Sequence, residues 1–274
     1  MIVDTYRENQ TNVSFRLRKS ILCNNIMMQV VLTILLVFLI IKFLTNNNSN
    51  INFNSLTIIG NKNITRRSHI TRRLLSKFVV NGPFYCYVTW TNHTQAFDIY
   101  TDDNIHPYII VNIDGDTLKI IIQSDGNFKF TRMDIHLNLN PTIKNIRLAG
   151  ISTLHSANVL SMNVPFRLQT EDTSNVILQL NVPHFDALFL SAGVTQLTGL
   201  VQDTANIRYY GIGDVDISQL FCKSINITAN GLGTIWMTGI DECVIKAEGI
   251  NIVRYNCSNR NSIQAMDLAK VIPI

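Results

Sequence analysis

Between Ile146 and Cys257 the chain repeats itself about every twenty residues, and this period limits the possible folds more than any other feature. Written as stacked lines, it gives IRLAG from Ile146, FRLQT from Phe166, LFLSA from Leu188, IRYYG from Ile207, INITA from Ile225 and VIKAE from Val244. Start-to-start steps are 20, 22, 19, 18 and 19 residues, by subtraction of those positions. Each line opens with alternating apolar residues, the pattern of a half-buried strand. Most then reach a glycine: Gly150, Gly193, Gly211 with Gly213, Gly231 with Gly233, and Gly249. A second alternating run follows, such as Val215 and Ile217 or Ile235 and Met237. Glycine between two short strands suits a sharp corner, because it alone enters positive-φ space without steric cost.

One repeat therefore reads as strand, turn, strand and return. Stacking such units buries an apolar face and pairs the backbone that a single unit leaves wet. The expected fold is all-β: a β-solenoid, parallel and β-helix-like, with two sheets joined by glycine turns. Val215 should stack on Ile235, and Ile217 on Met237. The Phe166 line lacks the glycine and carries Glu171-Asp172-Thr173 at its bend. A sandwich of antiparallel hairpins is the alternative, since it also alternates and turns at glycine.

The start of the chain has a different character. Ile26 to Leu44 is an apolar run interrupted only by Gln29, Thr33 and Lys42. At helical rise it covers roughly 28 Å, about one bilayer core. The long polar segment before it and the absence of a small-x-small cleavage pattern favour an uncleaved signal-anchor over a cleaved signal peptide. Arg16, Arg18 and Lys19 precede the span and only Lys42 lies at its far end, which places residues 1–25 in the cytoplasm. The expected organisation is a cytoplasmic tail (1–25), a membrane span (26–44), an Asn-rich and then basic tether (45–77), the solenoid (78–257) and a C-terminal tail (258–274). The solenoid then lies outside the cell or in a lumen, on a single-pass type II membrane protein.

Sequons and cysteines agree with that topology. Candidate glycosylation sites are Asn63, Asn92, Asn226 and Asn256; Asn47 stands too near the bilayer, and Pro141 excludes Asn140. Cys86, Cys222, Cys243 and Cys257 form an even set beyond the span. Cys222 and Cys243 lie 21 residues apart, about one repeat, and are the disulfide candidates; Cys257 competes for the same partners, and buried free thiols are the alternative. The basic run Arg66-Arg67, Arg72-Arg73 and Lys77 reads as a solvated edge, with a processing site or an anionic contact as alternatives. Ile109–Ile113, Asp114-Gly115 and Thr117–Ile122 read as a hairpin. With the other strands from Phe78 it is expected to cap the solenoid or form its first irregular layers. Val271-Ile272-Pro273-Ile274 is positioned to cover the far end.

The segment FVVNGPFYCYVTWTNHTQAFDIYTDDNIHPYIIVNIDGDTLKIII (Phe78–Ile122) resembles the opening of the auto-transporter adhesin head GIN domain family. The later units YYGIGDVDIS, TANGLGTIWMTG and KAEGINIVRY resemble its serial G-x-G repeats, over roughly Phe78 to Asn256 in all. The resemblance implies a pectin-lyase-like β-helix without that fold's catalytic residues, and an adhesive role. This chain departs from the family pattern at Ile212 and Leu232, where serine usually stands between the glycines.

Net charge is modest at +4, and Arg7, Arg16, Arg18 and Lys19 against Asp4 and Glu8 supply +2 of it before residue 25. The solenoid is close to neutral, which argues against nucleic acid as a partner. Asp214 with Asp216 is the best acidic pair for glycoside chemistry and Asp102-Asp103 the next, yet positions 234 and 236 are Thr and Trp, so the first pair does not recur. The six histidines show no metal-ligand spacing, and no nucleophile elbow, phosphate loop or C-x-x-C pair is present. No cofactor, metal or catalytic residue is expected. Outward side chains are the remaining resource: Arg208, Tyr210 and above all Trp236, set between inward Ile235 and Met237, are the candidate contacts. The sequence points to a membrane-tethered adhesion or recognition module binding a cell-surface or matrix glycan or protein, possible also as a homo-oligomer. A carbohydrate-active β-helix enzyme, intact or degenerate, is the alternative.

Overall fold

Alternation fixes which side chains point inward, and the backbone pairing shows what they point into. The computed structural model describes residues 57–274 apart from 94 and 124–126, within one compact unit, Leu56–Ile274. Its strands wind into a β-solenoid of about six turns. Strand Asn145–Ala149 pairs in parallel with Phe166–Thr170, Phe166 pairs with Phe185, Phe185 with Ala205 and Ala205 with Ile225. Successive coils are thus offset by 22, 19, 20 and 20 residues. Parallel pairing between coils excludes the hairpin sandwich.

From residue 145 onward the coils have three straight segments, not the two expected. Face A holds Lys77–Asn81, Asn145–Ala149, Phe166–Thr170, 185–189, 205–209 and 225–229. Face B holds Tyr85–Trp90, Thr153–Ser156, 175–178, 195–198 and 215–219. A short face C, 160–161, 180–182, 199–201 and 220–222, closes the triangle. The third segment shows in the burial phase: Val215 and Ile217 are buried, then Leu220 and Cys222, then Ile225, Ile227 and Ala229. Each slip from even to odd spacing marks a bend. Leu188 faces outward for the same reason, because Phe185, Ala187 and Phe189 take the interior. The core is a column of such residues, with the Phe166 and Phe185 rings stacked 6.0 Å apart. Val215, Ile217, Ile235 and Met237 are all buried, as their spacing predicts.

The corner between faces A and B is where coils come closest. A Cβ on Gly213 would lie 1.8 Å from the Gly193 carbonyl oxygen, and one on Gly211 would lie 2.1 Å from that of Ser191. Tyr209, fully buried, places its hydroxyl 2.6 Å from the carbonyl oxygens of both Gly213 and Leu232, and burial pushes its pKa up to about 12. The Phe166 coil manages without glycine because Asp172 takes the left-handed conformation there, at φ 56, and accepts the Gly150 N–H at 2.8 Å. Asp267 repeats the device one corner from the end, at φ 57, accepting from Gly249 N–H. A short acceptor side chain offsets the cost of positive φ by bonding the next coil.

The N-terminal end is built out of sequence order. Thr117–Ile122 pairs in parallel with Lys77–Asn81, and Met133–Leu139 with Tyr85–Trp90, so a coil later in the chain lies outside an earlier one. Antiparallel strands close this end: Ile109–Asp114 on Thr117–Ile122, and Gln95–Asp102 on Met133–Leu139, with Ile64–Thr71 beyond. The hairpin is present, although Asp114 pairs with Thr117 and the loop residues are Gly115 and Asp116. The tether assignment for 45–77 is corrected from residue 57 onward. Thr57–Ile59 pairs with Asn127–Lys129, and Ile64–Thr71 is an edge strand whose Arg66 meets Asp98 at 2.9 Å. Charge on an edge strand discourages further pairing. The tail assignment for 258–274 is also corrected: strand Val215–Ala265 runs through its start, and Lys270–Pro273 pairs with Ile252–Tyr255 as a final part-coil. The residues assigned to the cytoplasmic tail, the span at 26–44 and Asn47 lie outside the described residues. Among the described residues no helix is long and apolar enough to cross a membrane.

Cys243 bonds to Cys257, with Cα atoms 6.2 Å apart, and not to Cys222. Cys222 and Cys86 are buried free thiols, and burial pushes the Cys222 thiol up to about 12. Sequence distance of one repeat suggested the wrong pair because Cys222 lies on face C, while Cys243 already follows the bend into the next face A strand. The bridge closes a loop of 14 residues in sequence separation. By loop entropy, reduction should remove about 3 kcal/mol of stability. Denaturant midpoints with and without reductant measure this, and Cys222→Ala should leave the difference unchanged.

Candidate functional site

The outward side chains of face A form two rows across the coils. One runs Thr117, Lys77, Asn145, Arg167, Asp186, Asn206, Asn226; the other runs Lys119, Val79, Arg147, Gln169, Leu188, Arg208, Thr228. Between them lies an open groove of about 510 Å³ lined by Lys77, Asn145, Arg147, Arg167, Asp186 and Arg208 among others. Arg147 is held by Glu171 in a two-pronged contact at 2.8 and 2.7 Å, which lowers the Glu171 carboxyl below its ordinary range. Arg167 approaches Asp186 at 3.4 Å. Lys77 and Arg208 form no ion pair among the described residues. The Ser76 hydroxyl and, after it, Lys77 lower the nearby Asp116 carboxyl, and the groove's own lining carries four cations against one carboxylate, Asp186.

An amide ladder flanks it: Asn226 Nδ2 donates to Asn206 Oδ1 at 2.9 Å, and Asn206 Nδ2 donates to Asp186 Oδ1 at 3.0 Å. The nitrogen that a glycan would take on Asn226 is thus engaged, and a glycan there would stand on the groove's own face. Asn63, Asn92 and Asn256 are exposed away from it, on the edge region, the loop after Trp90 and the face B strand of a late coil.

Face B carries a different chemistry. Tyr87 sits between His136 and His155, with ring centroids 5.1 and 6.2 Å away, and Tyr100 packs on His136 at 5.0 Å. Arg132 covers Tyr100 at 5.1 Å. Trp236 is partly exposed between buried Ile235 and Met237, as expected, but lies several coils from this row. Tyr210 is exposed at the corner. The structure brings Arg208 into the groove and leaves Trp236 and Tyr210 outside it.

The acidic pairs have structural partners. Asp214 Oδ1 accepts the Thr234 N–H at 2.8 Å, and Asp216 Oδ1 accepts the Ser218 N–H at 2.9 Å. Asp102 is fully buried; it accepts from Lys62 N–H at 2.6 Å and from Thr131 N–H at 2.7 Å. No group of three or more metal-ligating side chains occurs among the described residues.

Reading outward positions one at a time missed Lys77, Arg147 and Arg167. For the two arginines the signal was present in the aligned lines, where IRLAG, FRLQT and IRYYG each place arginine second, whereas Lys77 precedes those lines. Nothing comparable announces the Tyr87 row, because the coil bearing His136 lies out of chain order.

Residues 75–258 match the family model described as "Putative auto-transporter adhesin, head GIN domain". The chain belongs to this family. Solved structures share the fold of this GIN-domain chain. A "putative adhesin" from Bacteroides fragilis is 20% identical, with a TM-score of 0.72 over 79% of this chain and 100% of that one. A "putative lipid binding protein" from Parabacteroides distasonis is 15% identical, with a TM-score of 0.61 over 79% and 96%. A "putative adhesin" from the same species is 16% identical, with a TM-score of 0.54 over 80% and 100%. At these identities the likeness concerns the fold. No curated protein is detectably similar in sequence.

Proposed function

We propose that this GIN-domain protein is a membrane-tethered extracellular adhesion or recognition module, without catalysis of its own, that binds through the outer faces of its solenoid. One observation carries the reading: the face A groove gathers Lys77, Arg147, Arg167 and Arg208 on a rigid sheet, four cations against the single carboxylate of Asp186 in its lining. Such a surface suits an anionic chain, for instance an acidic glycan laid across the coils, with Asp186 and the amide ladder meeting its hydroxyls. A recessed strip suits a single polymer better than a flat membrane. Membership of an adhesin family and solved neighbours described as adhesins agree with it. The Cys243–Cys257 bridge suits an oxidising compartment, as an extracellular domain requires. The apolar run at 26–44 supplies the tether.

The full chain in phosphatidylcholine nanodiscs, presented to glycan and cell-surface arrays, tests this. Wild type should bind acidic glycans, and Lys77→Glu with Arg208→Glu should weaken binding at least tenfold, by roughly 1.4 kcal/mol or more. Binding should also fall as salt rises. Equal binding by the variant would move the contact to another face. Release of new sugar ends from any array glycan would favour the carbohydrate-active alternative.

A further inference from the structure

The corner between faces A and B carries a second feature, unrelated to the groove's charge. Residues that follow its turning positions stack directly on one another: Thr173 N–H bonds Gly150 O, Ala192 N–H bonds Asp172 O, Ile212 N–H bonds Ser191 O, Leu232 N–H bonds Gly211 O, and Leu268 N–H bonds Gly249 O. Ile151, Thr173, Ala192, Ile212, Leu232, Ile250 and Leu268 consequently form one crest along the solenoid. Its large members are unusually bare: Ile151 is 67% exposed, Ile212 64%, Leu232 51%, Ile250 59% and Leu268 70%. Leu190, Val194 and Tyr210 extend the apolar strip on its flanks, each more than two-fifths exposed. Glycines beside Ile212 and Leu232 press the corner backbone against the coil below, so these side chains have no route inward.

We infer that this crest is the contact by which a second copy of the chain docks, crest against crest. Size supports it: the eight large residues together present roughly 800 Å², about one partner's share of a standard interface and beyond the few hundred Å² a monomer usually leaves bare. Form supports it too. A ladder repeated at the coil spacing of about 4.8 Å presents a continuous apolar ridge that can lie flat along an identical ridge, so the surface is complementary to itself under a two-fold axis. Charge argues against a bilayer as occupant. Asp172, Asp214 and Asp267 rim the same corner, while Glu248 beside them is paired with Lys246 at 2.9 Å, and anionic headgroups would be repelled by the three aspartates. That rim also repels a second copy, so pairing should strengthen as salt rises, opposite to the behaviour expected of the groove.

The test uses the full chain with Cys23→Ser, in phosphatidylcholine nanodiscs at a loading of two or more copies per disc. Leu232→Cys, on the crest, should form a covalent dimer under mild oxidation, and Trp236→Cys, on face B, should not. Adding Ile212→Asp and Ile250→Asp should reduce crest cross-linking at least tenfold while the circular-dichroism melt confirms the fold. Equal cross-linking from both cysteines, or no loss in the aspartate variant, would overturn the proposal. Quenching of a dye on Leu232→Cys by brominated lipid, without cross-linking, would overturn it in favour of the bilayer.

Discussion

Gly213→Ala should destabilise the solenoid by about 4 kcal/mol, more than typical overpacking, because the clash is with backbone and not with a movable side chain. The new methyl group would occupy the position of the Gly193 carbonyl oxygen, which lies 1.8 Å away. Relief requires separating two coils at their tightest point, and the bonds from Ile212 and Gly213 N–H to Ser191 O loosen with it. Gly115→Ala provides the contrast. That glycine has φ 57 but nothing within 4 Å of its missing side chain, so the cost is conformational only, about 1–2 kcal/mol. Thermal melts followed at the β-sheet circular-dichroism band should separate the two variants clearly. Equal losses would mean that the corner can open without disturbing the stack.

Asp102→Ala should cost about 2 kcal/mol, since it leaves the N–H groups of Lys62 and Thr131 and the Thr131 hydroxyl, all part-buried, without the acceptor that the buried carboxylate supplies. The carboxylate joins the loop before Ile64–Thr71 to the approach of Met133–Leu139, so its removal should loosen the cap first. Hydrogen exchange should show the loss at Lys62 and Thr131 before the coils beyond residue 145. The pH dependence has a defined sign. Burial is the largest single influence and opposes ionisation, yet the Thr131 and Lys62 N–H groups and the Thr131 hydroxyl together hold the Asp102 carboxyl below its ordinary value. Its contribution is therefore complete above the unfolded-state pKa near about 3.9 and is lost as pH falls through the lower folded value. Asp98 and Glu171, also lowered, add slopes of the same sign in both proteins. The gap between wild type and Asp102→Ala should hold constant above about pH 5 and narrow on further acidification.

Much of the fold was legible because its signals are local. Alternation placed Ile207, Ile217, Ile235 and Met237 inside, and all four are buried. Slips in the aligned lines did less harm when they were even. Ile146 pairs with Leu168, not with Phe166, yet both are inward, since a two-residue shift preserves the face. An odd slip inverted Leu188, which the structure turns outward. At the candidate site, Arg208 was legible as an outward cation, but its companions were not. Lys77 and Arg167 reach the groove only through pairings that span 68 and 22 residues.

The sequence by itself determined the β-solenoid, its period, its glycine corners and the inward or outward sense of most side chains, because each depends on a few consecutive residues. Only the tertiary structure decided that Thr117–Ile122 and Met133–Leu139 pack outside Lys77–Asn81 and Tyr85–Trp90, that Cys257 and not Cys222 meets Cys243, and that Ile212, Leu232 and Ile250 align as one bare crest. These outcomes depend on register between coils. A bend that shifts by one residue leaves the local pattern of a strand unchanged while altering every neighbour it meets on the next coil.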